Sequence, residues 1–229
     1  MNLEKIAFRW SPNLWSTALK GTECYHQLLT QKKMRILEIG ASSSIVSLMF
    51  DVTQSDIKVG CWQKKQISEA TSALKDLNNL QSKYTVAQVD AFEIVGKFDI
   101  IIMKSVLGGL FRTHNSTLDE CELYIKSLLK NNINEGGVFI TIDNGKHMAE
   151  KLLKSVGILK TRWRRFSIQD LSFADNKGYA GSILTVGSIS SRINIIGNFI
   201  DNILSKLDLL LMKLLPNYPS VICSVFKKK

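Results

Sequence analysis

The stretch MRILEIGASSSI occupies residues 34–45 and joins an apolar run to a turn of small residues. Its first half is a short apolar run with branched side chains, which predicts a buried β-strand. Gly40 then begins a turn of small residues, and such a turn lets a ligand approach the backbone closely. The dinucleotide-binding pattern G-x-G-x-x-G keeps only Gly40, because Ser42 and Ile45 occupy its other two positions. The stretch therefore predicts a strand with a ligand-binding turn, and it disfavours a nicotinamide cofactor.

Similar apolar runs follow this first strand and alternate with helical patterns. Further strands are predicted at 56–62, 84–90, 98–103 and 136–143, and helices at 12–31, 44–51, 64–80, 117–132 and 145–156. Strands that alternate with helices form right-handed crossovers around a parallel sheet, so the predicted class is a doubly wound α/β fold. Such sheets bind ligands in the loops at the carboxyl ends of their strands. Functional residues are therefore expected in those loops.

The composition is that of an ordinary globular protein with an excess of basic residues. The chain has 229 residues, of which 45% are hydrophobic, enough for one domain with a sizeable core. Its four cysteines form no CxxC pair, so neither a zinc site nor a disulfide framework is predicted. No signal peptide is predicted, and a reducing cytoplasm is the expected compartment. The formal net charge of +10 favours partners that carry phosphate or other anionic groups.

Four segments resemble the motifs of the class I, Rossmann-like S-adenosylmethionine-dependent methyltransferases, in the order and at the spacing of that family. The segments are EIGASSS (38–44), VDAFE (89–93), FDIIIMKSVL (98–107) and NEGGVFI (134–140). The resemblance implies S-adenosylmethionine as the cofactor and a seven-stranded, mostly parallel sheet in a single domain, 1–229. Within it we expect an N-terminal helical cap (1–33), a cofactor-binding core (34–166), and a C-terminal helical insertion with the last strand (167–229).

The resemblance also implies roles for individual residues. It assigns cofactor-binding roles to Glu38 and Gly40 at the methionine end, Ser42 in the same turn, Asp90 near the adenine amine, and Ala91 and Phe92 beside the adenine ring. One departure concerns the ribose, because the family usually places an acid after the second strand, and Val59–Gln63 contains no carboxylate. Trp62 could stack against the adenosine there. Alternatively, the departure indicates weakened cofactor binding and a non-catalytic relative.

Candidates for handling the methyl acceptor follow the fourth strand. Lys104 is a candidate cofactor-binding residue at the end of that strand, and it could also orient an anionic acceptor, although a solvated strand end explains it equally well. His114 is a candidate general base, since its unperturbed pKa lies near neutrality, but it also fits a bystander in a loop. Methyl transfer depends largely on positioning, so the absence of a convincing base is no objection. The histidines lack metal-ligand spacing, and no metal site is predicted.

The C-terminal part carries the most individual features. Residues 192–215 place apolar side chains at helical spacing but include charges, which predicts an amphipathic helix and not a membrane span. Residues 190–229 contain six Lys and Arg against two Asp, so the helix could lie on an anionic membrane or serve as a lid or core element. A final strand is predicted at 220–226. This region is similar to methyltransferases of bacterial surface-polysaccharide pathways.

The sequence thus favours methyl transfer from S-adenosylmethionine to an oxygen of a small-molecule, sugar or lipid-linked glycan acceptor. Two other classes stay open, a non-catalytic binding or scaffold protein and a peripheral membrane module. The basic cluster at 160–165 has the composition that contacts phosphates, yet a surface strand produces the same pattern. Nucleic acid is a disfavoured partner, because the loop after the fourth strand lacks the Asn-Pro-Pro-Tyr character of enzymes that hold a flipped base.

Overall fold

Seven strands form one sheet in the computed structural model of the chain, which describes residues 3–8, 12–77, 79–112, 117–146, 163–180 and 219–229. The strands are β1 (Arg35–Ile39), β2 (Asp56–Cys61), β3 (Lys83–Gln88), β4 (Phe98–Lys104), β5 (Ile133–Asn144), β6 (Asn176–Ala180) and β7 (Val221–Lys227). The helices are α1 (Leu3–Ala7), α2 (Pro12–Lys20), α3 (Glu23–Leu29), α4 (Lys64–Lys75), α5 (Leu107–Leu110) and α6 (Leu118–Asn132), with a 3₁₀ helix at Val46–Thr53.

The strand order is β3-β2-β1-β4-β5-β7-β6. The first five strands are parallel, and β7 runs antiparallel to both β5 and β6. This arrangement confirms the predicted seven-stranded, mostly parallel, doubly wound sheet. The order reverses between β1 and β4, which makes the carboxyl ends of these two strands the expected ligand-binding position. We call the edge of the sheet where β1 to β5 end the carboxyl edge.

The two faces of the sheet are buried under different layers. Alternation along β1 places Ile36 in the cluster that includes residues of α1 to α4 and the 3₁₀ helix. Leu37 and Ile39 point to the other face, where they share a cluster with Ile125 and other residues of α6. Because successive side chains of a strand point to opposite faces, a strand covered on both sides has a continuous apolar run, as β4 has at residues 100–103. The sheet is thereby held rigidly beneath the carboxyl edge.

Several helices differ from their predicted bounds for local reasons. The helix predicted at 12–31 is two helices, because Thr22 ends the first and its hydroxyl caps the second by accepting from Tyr25 N–H (3.3 Å). The helix predicted at 44–51 is a 3₁₀ helix at Val46–Thr53, and the one predicted at 64–80 ends at Lys75. The predicted helix at 145–156 does not begin at Gly145, which forms an isolated β-bridge with Phe166, and residues 147–156 lie outside the described residues. The helix predicted at 192–215 also lies outside them.

Strand β6 had no counterpart among the predicted segments. Its sequence, NKGYA, is short and half polar, so it gives no apolar run. Gly178 lets α2 pack closely on this strand, because a Cβ atom there would lie 2.0 Å from the Ala18 carbonyl oxygen of α2. The final strand was predicted at 220–226 and is observed at Val221–Lys227. No helix in the described part of the chain is long and apolar enough to cross a membrane.

Candidate functional site

Loops from three strands converge at the carboxyl edge around Gly40. This residue has a φ of 82°, a left-handed conformation that favours glycine. Its N–H donates to the carbonyl of Gly60 in β2 (2.9 Å). A Cβ atom at Gly40 would lie 2.2 Å from Cγ2 of Val106, which follows β4. A residue without a side chain therefore lets the ends of β1, β2 and β4 approach one another where the sequence predicts a ligand.

The carboxylate of Glu38 organises the turn after β1. It is 2% exposed and accepts hydrogen bonds from Val46 N–H (2.8 Å), Ser47 N–H (2.9 Å) and the Ser47 hydroxyl (2.7 Å). These donors begin the 3₁₀ helix, whose first N–H groups lack partners of their own. Burial raises the pKa of Glu38, and the hydrogen bonds from Ser47 and Val46 oppose that rise. Glu38 thus stabilises the conformation of the turn by accepting hydrogen bonds from the backbone N–H groups of Val46 and Ser47.

Lys104 ends β4 and lies against α2. Its Nζ is 4.4 Å from the centroid of the Trp15 ring, which is a cation–π distance. Burial lowers the pKa of Lys104, whereas the charges of Glu38 and Asp143 act to raise it. Three ionisable groups, on the adjacent strands β1, β4 and β5, therefore interact electrostatically at the carboxyl edge.

Asp143 connects the end of β5 to the loop after β4. It is 3% exposed, and it accepts hydrogen bonds from Gly108 N–H (3.1 Å) and from the Thr141 hydroxyl. Burial raises its pKa to about 6, against the opposing effects of Thr141, Gly108 and Lys104. Because both carboxylate oxygens have donors, Asp143 fixes the position of α5.

Amide side chains surround the carboxyl end of β2. Oε1 of Gln66 accepts from the backbone N–H groups of Trp62 and Gln63, both at 3.0 Å. Nε2 of Gln88 donates to the Trp62 carbonyl (3.2 Å). The Trp62 ring is 55% exposed, so it can stack against a planar ligand. Polar but uncharged groups thus occupy the position where the resemblance implied a carboxylate.

An aromatic cluster supports the loop after β3. Oδ1 of Asp90 accepts from Phe92 N–H (2.8 Å), which closes a tight turn. The Phe92 ring is 61% exposed and lies edge-on to Tyr124 of α6, with centroids 5.5 Å apart. The Tyr124 hydroxyl donates to the Ala91 carbonyl (2.8 Å), and Phe111 packs against both rings. This cluster fixes an exposed aromatic face beside Asp90.

The two glycines after β4 accommodate a neighbouring segment. A Cβ atom at Gly108 would lie 2.4 Å from the Arg164 carbonyl oxygen, and one at Gly109 would lie 2.0 Å from the Trp163 ring. Arg164 N–H donates to the Gly108 carbonyl (2.8 Å), and its Nε donates to the Phe111 carbonyl (2.9 Å). The described part of the basic cluster, residues 163–165, therefore packs on α5. Lys160 and Arg162 lie outside the described residues.

Structural comparison relates this arrangement to known proteins, whereas no family model and no curated protein matches the sequence. An S-adenosylmethionine-dependent methyltransferase from Methanosarcina mazei matches with a TM-score of 0.59 at 14% identity, over 90% of this chain and 97% of that chain. The cyclopropane synthase MmaA2 from Mycobacterium tuberculosis matches with a TM-score of 0.56 at 11% identity, over 90% and 83%. The chain has the class I methyltransferase fold. This result confirms the fold implied by the four motifs.

Within the methyltransferase fold, the predicted site residues follow four adjacent strands. Those in the described part of the chain are Glu38, Gly40 and Ser42 after or within β1, Trp62 after β2, Asp90, Ala91 and Phe92 after β3, and Lys104 at the end of β4. The parallel sheet brings all of these strand ends to the carboxyl edge. His114 lies outside the described residues, and its role stays a prediction. No group of metal-binding side chains occurs among the residues that are described.

Sequence reasoning missed two aromatic residues at this site. Trp15 lies in α2, far along the chain from Lys104, and Tyr124 lies in the middle of α6. Both occupy apolar helix faces, where an aromatic residue is ordinarily a core residue. No local pattern marks either one, because only the packing of the helices on the sheet brings them to the strand ends.

Proposed function

We propose that this protein is an S-adenosylmethionine-dependent methyltransferase that methylates an oxygen of a small-molecule, sugar or lipid-linked glycan acceptor. The observation that carries the proposal is the Gly40 turn at the point of strand reversal. There the turn approaches both Gly60 and Val106 closely, and Gly40 itself is exposed.

The residues at the carboxyl edge fit the cofactor in most respects. Asp90 is held in its turn by Phe92 N–H and offers a carboxylate oxygen for an exocyclic amine. Phe92 and Trp62 supply exposed aromatic faces at neighbouring strand ends, suited to a purine ring. When bound, S-adenosylmethionine would supply a methyl group already activated by its sulfonium charge. The protein then has to bind the cofactor and the acceptor, orient them towards each other and exclude water.

The ribose position fits less closely. Without an acid after β2, the side-chain hydrogen bonds to a ribose diol would come from Gln63 or Gln88, whose amides can both donate and accept. A neutral amide binds a hydroxyl more weakly than a carboxylate does, because charge-assisted hydrogen bonds are stronger. We therefore expect binding of the adenosine to depend more on Trp62 and Phe92 than on the ribose.

The acceptor side lies beyond the end of β4. Lys104 and the loop held by Asp143 would orient the acceptor, and proximity accounts for much of the rate of such a transfer. His114 remains the candidate that would accept the proton of an acceptor hydroxyl. Substitution of His114 by Gln would test this role, since loss of turnover with unchanged cofactor binding is expected of a base.

The first experiment is a calorimetric titration with S-adenosylmethionine and S-adenosylhomocysteine, with NAD as the negative control. We expect micromolar binding of the first two ligands and no binding of NAD. Asp90→Ala should weaken that binding by about tenfold, a loss of about 1.4 kcal/mol. Asp56→Ala removes the same charge from an exposed position at the opposite end of β2 and should leave the affinity unchanged.

A failed titration has a clear meaning. If the folded protein binds neither ligand, the methyltransferase proposal is wrong, and the amides at the end of β2 would instead favour a non-catalytic binding or scaffold protein. If Asp90→Ala and Asp56→Ala behave alike, the adenine position has been misplaced. Circular dichroism of each variant separates these results from simple unfolding.

A peripheral membrane role for residues 192–229 is the second part of the proposal. Ala180 and Asn144 both pair with Val221, so the chain leaves β6 and re-enters β7 beside the end of β5. The segment between them is therefore attached at the carboxyl edge, where an acceptor on an anionic membrane would arrive. We expect the protein to sediment with phosphatidylglycerol vesicles at low salt and to be released at high salt. Protein that stays in the supernatant at low salt would exclude this role.

A further inference from the structure

The ammonium group of Lys104 lies over an aromatic ring and has no ion-pair partner among the described residues. The side chain is partly buried, and its Nζ lies over the Trp15 ring at 4.4 Å. Trp15 itself is 7% exposed and is fixed in α2, which packs against β6 and β7. The ring therefore sets the location of the ammonium group at the end of β4.

The two carboxylates near Lys104 have other hydrogen-bond donors. Glu38 accepts three hydrogen bonds from Val46 and Ser47. Asp143 accepts from Gly108 N–H and from a hydroxyl group in its own strand. Burial lowers the pKa of Lys104, and the charges of both carboxylates oppose that lowering while their oxygens are bound to other groups.

The donors of Lys104 are therefore available. An ammonium group has three N–H donors, and within the described ranges Lys104 makes neither a hydrogen bond nor an ion pair of 4.0 Å or less. A partly buried cation is costly unless it gains an oppositely charged or hydrogen-bonding partner. The matching partner is a group with several anionic oxygens, placed beside the methyl-transfer position.

We infer that Lys104 and Trp15 form a subsite for an anionic group of the methyl acceptor, a carboxylate or a phosphate. Lys104 binds this group, and Trp15 is a positioning residue that holds the ammonium in place. The formal net charge of +10 supports an acceptor of this class, because it raises the local concentration of anions. This inference rests on the proposed methyltransferase function.

Inorganic phosphate and acetate are suitable probes for the subsite. Each is titrated into the S-adenosylhomocysteine-saturated protein and into the cofactor-free protein, and binding is followed by amide chemical shifts in two-dimensional NMR. We expect saturable shifts at residues 104–109 with millimolar affinity for at least one probe. Lys104→Met should weaken that binding by about tenfold or more, whereas Lys104→Arg should retain most of it.

Two further variants control for charge and for packing. Lys83→Met removes one positive charge from an exposed position on β3 and should leave probe binding unchanged. Trp15→Phe keeps an aromatic face under the ammonium and should retain probe binding, while Trp15→Leu keeps an apolar residue and should lose it. A merely structural role of Trp15 would make the Phe and Leu variants bind the probes alike.

The results separate this inference from the proposed function. Equal probe binding by Lys104→Met and the unaltered protein overturns the subsite. A parallel tenfold loss of S-adenosylhomocysteine affinity in Lys104→Met would assign the anion to the cofactor's own carboxylate and overturn the acceptor assignment. If the unaltered protein fails to bind S-adenosylhomocysteine, the proposed function fails, and the titration of the cofactor-free protein still decides whether Lys104 binds anions.

Discussion

Close contacts in the fold determine which residue types can occupy single positions at the carboxyl edge. Gly40 and Gly136 both have positive φ values, 82° and 72°, but a Cβ atom would clash at Gly40 and would meet nothing within 4 Å at Gly136. Substitution of Gly136 therefore measures only the energetic cost of the backbone conformation. Substitution of Gly40 measures that cost together with the cost of the steric clash with Val106.

We predict that Gly136→Ala lowers the free energy of unfolding by about 1 kcal/mol, the cost of a left-handed alanine. Gly40→Ala should lower it by about 3 kcal/mol, because a steric clash adds to the same strain. Only Gly40→Ala should also abolish S-adenosylhomocysteine binding. Urea unfolding and calorimetry measure the two effects, and equal losses of stability would show that Val106 moves aside freely.

Asp143 predicts a measurable dependence of stability on pH. Its pKa in the folded protein is raised from 3.8 to about 6, so the folded state binds this proton more tightly than the unfolded chain. The raised pKa contributes about 3 kcal/mol to the free energy of unfolding. This contribution is fully present below pH 3.8 and is lost as the pH rises to about 6. Asp143→Asn cannot titrate, so the stability difference between the two proteins should change across this window. A constant difference in urea unfolding from pH 4 to pH 7 would contradict the raised pKa.

At the scale of the elements, the turn after β1 depends on a single carboxylate. Glu38 and Asp51 are both buried, and each side chain accepts three hydrogen bonds, Asp51 from Gln81, Ser82 and Tyr84. Only Glu38 lies at the carboxyl edge. The two carboxylates therefore form a matched pair for distinguishing a site role from a purely structural one.

We predict that Glu38→Gln and Asp51→Asn each lower the free energy of unfolding by about 2–3 kcal/mol, since each amide brings N–H groups against existing donors. Glu38→Gln should in addition weaken S-adenosylhomocysteine binding by about tenfold. Asp51→Asn should bind S-adenosylhomocysteine with the same affinity as the unaltered protein. Similar affinities in both variants would mean that the shape of the turn does not control the ligand.

Across the whole molecule, the end of the chain ties the sheet to α6. Lys228 is mostly buried, and its Nζ donates to the carbonyls of Lys130 (3.1 Å) and Ile133 (2.9 Å) and pairs with Glu135 (3.0 Å). These carbonyls lie at the end of α6 and the start of β5, where helix carbonyls lack partners. Lys229 is exposed and serves as the matched control.

Lys228→Met should lower the free energy of unfolding by about 1 kcal/mol, because it removes the donor from the Lys130 carbonyl and from the partly buried Ile133 carbonyl. Lys229→Met should leave it within about 0.5 kcal/mol of the unaltered value. Chemical denaturation of both variants provides the measurement. Equal stability of the two would show that water replaces Lys228 at the end of α6.

The class of fold and the positions of most strands along the chain could be predicted from the amino-acid sequence, and so could the segments that follow β1 to β4. These features are local, since short apolar runs and turns of small residues depend on neighbours in the chain. Strand β6 was not predicted because its sequence has no apolar run, and its close packing against Ala18 at Gly178 is a contact between distant segments. Only the tertiary structure decided that Trp15 lies under Lys104, because packing on the sheet and not sequence spacing brings such residues together.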